Sequence, residues 1–397
     1  MRIMHISTRL ILGGSQENTV LSCEGQVRRG HDVALVFGPI YGPEGSLLER
    51  ATNFRTPAGQ RIETIETPNL VREINPYKDW RCYRNLRALI RRWRPDVVHT
   101  HSSKAGILGR LAAWKERVPC VIHTIHGPPF HRYEKKWRNA MYILSERIAA
   151  KRCHVIACVA DAMREQFLAA KIGRPKQYVT VHSGMEVEAF IHPPPEWNRD
   201  AARRELGLTA DDFVAGTVAR LAEHKGHDDL LDALWPLMND RSNLKLLWVG
   251  DGWWRERLMI RVKLLGLSDR VITTGLVSPE QIPKFMHAMD VLIHPSYREG
   301  LPRTVTQALL SGVPAIAYDV DGTGEVCIDG KTGQLIEPGH LKSLREATRW
   351  MMDHPRERAE MARCGRDMCR VRFAAETMVE HLDRIYEQVL RGSANRA

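Results

Sequence analysis

Short apolar runs alternate with helix-length stretches along nearly the whole chain, and this alternation limits the possible fold more than any other feature. Apolar runs at 3–7, 33–37, 97–100, 121–125, 155–158 and 179–181 read as strands, with helical patterns at 16–29, 83–93, 105–116 and 136–150 between them. Strands that recur only after a helix call for crossover connections, hence a parallel sheet covered on both faces. The pattern breaks at 191–199, where HPPPEWNR holds three consecutive prolines. Proline fixes φ and removes a donor, so a non-helical linker is expected there. Alternation resumes with strands at 214–218, 244–249, 271–273, 291–294 and 315–317, and helices at 227–238, 254–265, 281–288 and 303–310. From 343 on the pattern is almost all helical. The expectation is two α/β halves, 1–190 and 200–372, followed by a terminal helical segment, 373–397.

Length agrees, since 397 residues exceed one ordinary core. No segment approaches ~18 uninterrupted apolar residues, so a transmembrane helix is not expected. The opening MRIMHISTRLILGG reads as a buried first strand rather than a signal peptide, because His5 and Arg9 interrupt its apolar run. The eight cysteines form no CxxC pair and no zinc spacing, which points to reduced, mostly buried thiols in a cytoplasmic protein. The net charge of +11 is uneven: residues 1–197 carry +12 and the remainder −1. Such an excess suits an anionic polymer, an acidic substrate or an anionic membrane, and equally a solvated face.

Open parallel sheets bind ligands beyond the C-terminal ends of their strands, so the residues after each strand are the candidates, and two such sheets facing each other would form a cleft. Gly13-Gly14 precedes a helix, where bare amides favour an anion; a plain turn would read the same. Arg220 and Lys225, five apart past a strand, could grip a diphosphate or be two surface cations. His126 ends a strand before Gly127-Pro128, in competition with His99 and His101. A metal reading of His99 and His101 is set aside, on the expectation that the pair alternates across a strand and because no carboxylate joins it. Gly250-Asp251-Gly252 lacks the third glycine of a dinucleotide fingerprint. Glu299-Gly300-Leu301-Pro302 leads into a helix carrying Gln307. A helix start can face a phosphate while Glu299 accepts hydrogen bonds from hydroxyls, as sugar recognition requires.

Taken together, these segments resemble the retaining glycosyltransferases of family 4, which have the GT-B fold: two Rossmann-like domains facing across a cleft, with a C-terminal helix crossing back to the first. The family's two glutamates, with seven residues between them, fall on Glu299 and Gln307. The resemblance makes Glu299 the acceptor of the donor sugar's hydroxyls. It leaves Gln307 a weaker, uncharged partner for the ribose. It further implies that Gly13, Gly14, Gly184, Gly250, Gly300, Leu301 and Pro302 border the donor, that Arg220 and Lys225 clamp its diphosphate, and that His126 sits by its sugar. The segment from His99 to Arg110 is similar to bacterial members that build surface polysaccharides. The implied reaction transfers a sugar, with retention, from a nucleotide sugar (UDP favoured) to a glycan or lipid-linked acceptor. No cofactor or metal is implied, and Asp319-Val-Asp321 is expected to be a coincidence of letters. Arg84, Arg87, Arg91, Arg92 and Arg94, with Arg132, Lys135, Lys136 and Arg138 around Tyr133 and Trp137, suggest peripheral contact with anionic membrane. Nucleic acid is not expected. The alternatives are a sugar-nucleotide epimerase of the same fold and a nucleotide-sugar-binding protein without catalysis.

Overall fold

The computed structural model describes residues 1–41, 45–132 and 134–394, and within it the chain forms two compact units. The first is Met1–Met185 together with the chain from Ala375 on; the second is Glu186–Ala374.

Seven strands make the sheet of the first unit: β1 (Arg2–Ser7), β2 (Asp32–Phe37), β3 (Ile62–Glu66), β4 (Val97–His101), β5 (Cys120–Ile125), β6 (Val155–Cys158) and β7 (Tyr178–Thr180). All pair in parallel, in the order β3-β2-β1-β4-β5-β6-β7. β4 and β5 are buried along their full length, so they carry His99, His101 and His123 into the interior. β3 is absent from the sequence expectation. Its IETIE mixes two isoleucines with two acidic residues and a threonine, and as an edge strand it buries only Ile62. The last helix, Ala375–Ala394, covers one face: Val379, Leu382, Ile385 and Tyr386 pack with Ile3, Leu21, Val97 and Ile122. The opposite face is covered by Leu86, Ile90 and Trp93 of helix Pro76–Trp93 and by Ala105 and Ala112 of helix Ser103–Lys115. Helix Ser103–Lys115 also supplies Arg110, fully buried, whose Nη2 donates to Glu146 Oε2 of helix Lys136–Ala150 at 2.6 Å.

The second unit holds β8 (Phe213–Val218), β9 (Leu244–Val249), β10 (Val271–Thr273), β11 (Val291–His294), β12 (Ala315–Tyr318) and β13 (Gly333–Ile336), parallel in the order β10-β9-β8-β11-β12-β13. Trp248, Leu230, Leu234, Leu258 and Ile293 centre its core. The unit starts at Glu186, ahead of the prolines, and the proline segment is not wholly irregular. Pro195–Trp197 forms a 3-10 turn, and helix Arg199–Glu205 follows at once, capped by Asn198, whose side chain accepts from the Ala201 N–H at 2.9 Å. A first turn tolerates proline because the N–H it lacks would have no helical partner.

Strand order reverses in each sheet at its first strand, between β1 and β4 and between β8 and β11. Connections leave in opposite directions there, which opens a crevice at the C-terminal strand ends.

Candidate functional site

In the second unit the loops leaving β8 and β11 line that crevice, and they bring Lys225 to Glu299. Lys225 Nζ donates to Glu299 Oε1 at 2.6 Å. His294 Nε2, at the end of β11, lies 2.9 Å from the same oxygen. A carboxylate only accepts, so Nε2 carries the ring proton, and Nδ1 can then accept from Thr304 Oγ1 at 3.3 Å. Burial works against ionisation of Glu299, but Lys225 and His294 outweigh it and hold the carboxyl below the ordinary carboxylate range. Both donors go to Oε1, and among the described residues Oε2 has no hydrogen-bond partner.

Neighbouring contacts fix this arrangement. Gly226 has φ +69°, and a Cβ there would lie 2.0 Å from the Pro295 carbonyl oxygen, so the two loops meet backbone to backbone. The Tyr297 N–H donates to the His224 carbonyl at 2.9 Å. Asp229 Oδ2 accepts from the hydroxyls of Tyr297 and Tyr318, each at 2.6 Å. Asp321 Oδ2 accepts the Glu299 N–H at 2.8 Å, which gives the second letter of Asp319-Val-Asp321 a place: it pins the Glu299 loop.

The remaining expected residues of this unit fall around the pair. Arg220 is exposed, with its guanidinium 5.6 Å from the ring centroid of Trp253. Gly250 lets the loop after β9 press onto the loop after β8; a Cβ would lie 2.2 Å from the Ala219 carbonyl oxygen. Gly300 accepts through its carbonyl from the Gly322 N–H at 3.1 Å, and Leu301 is buried. Pro302 is the N-cap of helix Arg303–Leu310 rather than its first residue, and no side chain caps the helix. Gln307 is buried in that helix, and its amide makes no hydrogen bond among the described residues.

In the first unit Gly13 caps helix Gly14–Arg28, also without a side-chain cap, so the first amides face outward from an exposed turn. Thr8 Oγ1 and Ser102 Oγ, 2.8 Å apart, tie the loop after β1 to that after β4. His126, just past β5, is half-buried, with Nε2 3.1 Å from His101 Nδ1. Gly184 follows β7. It is buried beneath the last helix, where a Cβ would lie 2.7 Å from Ala375 Cα, and its N–H donates to Asn18 Oδ1 at 3.0 Å. Close packing accounts for this glycine.

The histidines correct the sequence reading. Residues two apart share a strand face, so His99 and His101 lie side by side, ring centroids 4.3 Å apart. His5 of β1 joins them, and ligand nitrogens of the three lie within 4.8 Å of one another. All six ring nitrogens are nevertheless engaged in hydrogen bonds: His5 with His101 and Gln26, His99 with Tyr386 and Thr124, His101 with His5 and His126.

His294 and Asp321 escaped sequence reasoning. His294 ends an apolar strand and looks like core, and nothing in the letters ties Asp321 to an amide 22 positions earlier.

Comparisons with known proteins agree with this architecture. A family profile described as glycosyl transferases group 1 matches residues 198–368, and one described as glycosyl transferase 4-like domain matches residues 13–184. An Escherichia coli UDP-Gal:alpha-D-GlcNAc-diphosphoundecaprenol alpha-1,3-galactosyltransferase is 28% identical over 351 residues, covering 87% of each chain. Anabaena HepE in complex with UDP and glucose superposes with a TM-score of 0.80 at 20% identity, over 98% of this chain and all of that one. Sucrose-phosphate synthase from Thermosynechococcus elongatus gives 0.81 at 19% identity, over 99% of this chain and all of that one.

Proposed function

The chain belongs to the family-4 glycosyltransferases of GT-B fold, and from that premise we propose that it moves a hexose or N-acetylhexosamine from a UDP-sugar to a lipid-linked or glycan acceptor, with retention of anomeric configuration. The observation that carries this reading is the Glu299 carboxylate, kept ionised by Lys225 and His294 through Oε1 while Oε2 remains able to accept. That oxygen accepts from hydroxyls of the donor sugar. Lys225, exposed Arg220 and the uncapped amides of helix Arg303–Leu310 stabilise the departing diphosphate. The bond from the anomeric carbon to the phosphate oxygen breaks as the acceptor oxygen bonds to the same face, and the acceptor's proton passes to the leaving phosphate. Gln307 offers the ribose an uncharged partner. The reading requires no metal, because the cations at 220 and 225 supply the positive charge. The family assignment does not favour the epimerase alternative.

UDP-sugars at 100 times their Kd are expected to stabilise the protein by about 2.7 kcal/mol in a thermal-shift experiment, and GDP-sugars not at all. A shift with GDP-sugars alone, or a product of inverted configuration by NMR, overturns the reading.

The acceptor side is read from the surface of the first unit, at the cytoplasmic face of the membrane. Helix Lys136–Ala150 exposes Trp137, Leu144 and Ile148 on one stripe, flanked by Lys135, Arg138 and Arg147. Apolar side chains beside cations suit an anionic lipid interface. On helix Pro76–Trp93, Tyr77 and Trp80 are exposed and Arg84 stacks over Trp80 at 4.8 Å, whereas Arg87 is taken up by Glu116 at 2.5 Å. Tyr133 lies outside the described residues. No described helix is long and apolar enough to cross a membrane. The protein is expected to float with vesicles containing anionic lipid at low salt, and Leu144→Glu to reduce the bound fraction severalfold. Equal flotation of both proteins would remove the helix from this role.

A further inference from the structure

The loop after β9 carries two tryptophans in succession, and they meet opposite fates. Trp254 packs against the core of the second unit, with the Arg257 guanidinium 4.4 Å from its ring centroid. Trp253, one residue earlier, is left 67% exposed. An indole carries a large apolar area, and a loop that shows it to solvent gains nothing from its burial. Its place in the fold is nevertheless fixed.

Backbone contacts hold this loop on both sides of Arg220. The Cβ that Gly250 lacks would meet the Ala219 carbonyl, and one on Gly252 would lie 2.3 Å from the Leu221 carbonyl oxygen. The Ala219 N–H donates to the Val249 carbonyl, the Leu221 N–H to that of Asp251, and the Trp254 N–H back to that of Leu221, each at 3.1 Å. On the far side the Gly250 N–H donates to the Gly275 carbonyl at 3.0 Å, which ties the loop to the one after β10. Trp253 is thus held beside Arg220, its ring centroid 5.6 Å from the guanidinium. Along the strand ends, in the order β11, β8, β9, stand the Glu299 carboxylate, the cations Arg220 and Lys225, and this aromatic plane. A nucleotide sugar presents its parts in the same order: sugar, diphosphate, base.

We propose that Trp253 is a binding residue for the donor, its indole face stacking on the nucleobase. The inference rests on the donor reading given above and adds to it the group that holds the base. A flat aromatic face suits a flat base of any kind, so Trp253 contributes affinity, and the choice between bases lies with polar groups. The cations at 220 and 225 attract any diphosphate, whereas the indole separates a nucleoside diphosphate from one without a base. The base takes no part in bond breaking, so its stacking is felt equally in the ground state and the transition state.

Calorimetric titration of the full-length protein with UDP and, separately, with inorganic pyrophosphate tests this. Trp253→Ala should raise the Kd for UDP by about 5- to 150-fold, the range that base–aromatic stacking spans, and leave the Kd for pyrophosphate unchanged. Trp253→Tyr keeps an aromatic face and should restore most of the UDP affinity. With a UDP-sugar as donor, Trp253→Ala should raise KM by a similar factor at unchanged kcat, the mark of uniform binding. The side chain is exposed and the loop is held by its glycines, so the variant keeps the fold. An unchanged Kd for UDP in Trp253→Ala overturns the proposal and leaves the donor reading standing. Equal weakening of UDP and pyrophosphate also overturns it, since Trp253 would then only steady Arg220. A wild-type protein that does not bind UDP overturns the donor reading itself, and this inference with it.

Discussion

Lys225→Ala is expected to lower kcat/KM for the donor by about 10²–10³-fold, the cost of removing one group aimed at developing charge in a site of this kind. Two effects add. The leaving diphosphate loses a cation, and Glu299 loses one of the two groups that keep it ionised. Burial alone raises a carboxyl, so without Lys225 the Glu299 value moves upward. The sign follows. In the wild type the charged form persists below the ordinary carboxylate range, so Glu299 places no acid limb on the rate near neutrality. In the variant the loss of activity on acidification should begin at higher pH. A pH profile of kcat/KM separates this from simple loss of the clamp, which would lower the rate equally at every pH. Unchanged turnover would take Lys225 out of the site altogether. Lys225→Arg keeps the charge but not the compact ammonium that fits beside Ser296 and Glu299, and should recover only part of the rate.

Glu146→Leu should produce the largest loss of stability in the first unit. Arg110 and Glu146 are both almost wholly buried, and removing one member of such a pair costs about 3–5 kcal/mol because the other charge is left without a counterion. Arginine cannot shed its proton to escape, so the acidic partner is the more damaging one to lose. Arg110 would keep its hydrogen bond from Nε to the Gly106 carbonyl at 2.7 Å, which holds its geometry but not its charge. Hydrogen exchange is the suitable measurement. Amides of β4 and β5 should exchange faster in the variant while those of β8 and β9 do not change. Arg110→Met in the same chain should return most of the protection, since a matched apolar pair lacks the desolvation cost. No change in β4 and β5 would mean that the surrounding helices already compensate the charge.

Sequence alone was informative where one strand carried its own signal. VALVF in β2 and VLIH in β11 are continuous apolar runs because neighbours cover them on both faces. Edge strands β3 and β13 lacked that signal, since a strand with one open side has no need to be apolar throughout. At the site, Glu299 stood out through its Gly-Leu-Pro context and the family resemblance. The pairing with Lys225 did not: that cation is legible after its strand, but it lies 74 positions away, and only the adjacency of β8 and β11 joins it to Glu299. His294 was hidden by looking like core. His99 and His101 were misjudged in their facing, and their third neighbour His5 could not be found without the pairing of β1 with β4.

The division of the first unit into two stretches of chain bears on how the protein is made. Everything the second unit needs for its core is contiguous, from Glu186 to Ala374. The first unit, begun earlier by the ribosome, must wait for Val379, Leu382, Ile385 and Tyr386 before one face of its sheet is covered. During synthesis that apolar face, with Ile3, Val97 and Ile122, stays uncovered while some 190 further residues are added. The later-encoded unit is therefore able to complete itself first, and the nascent chain presents a defined surface to chaperones until its final turns of helix emerge.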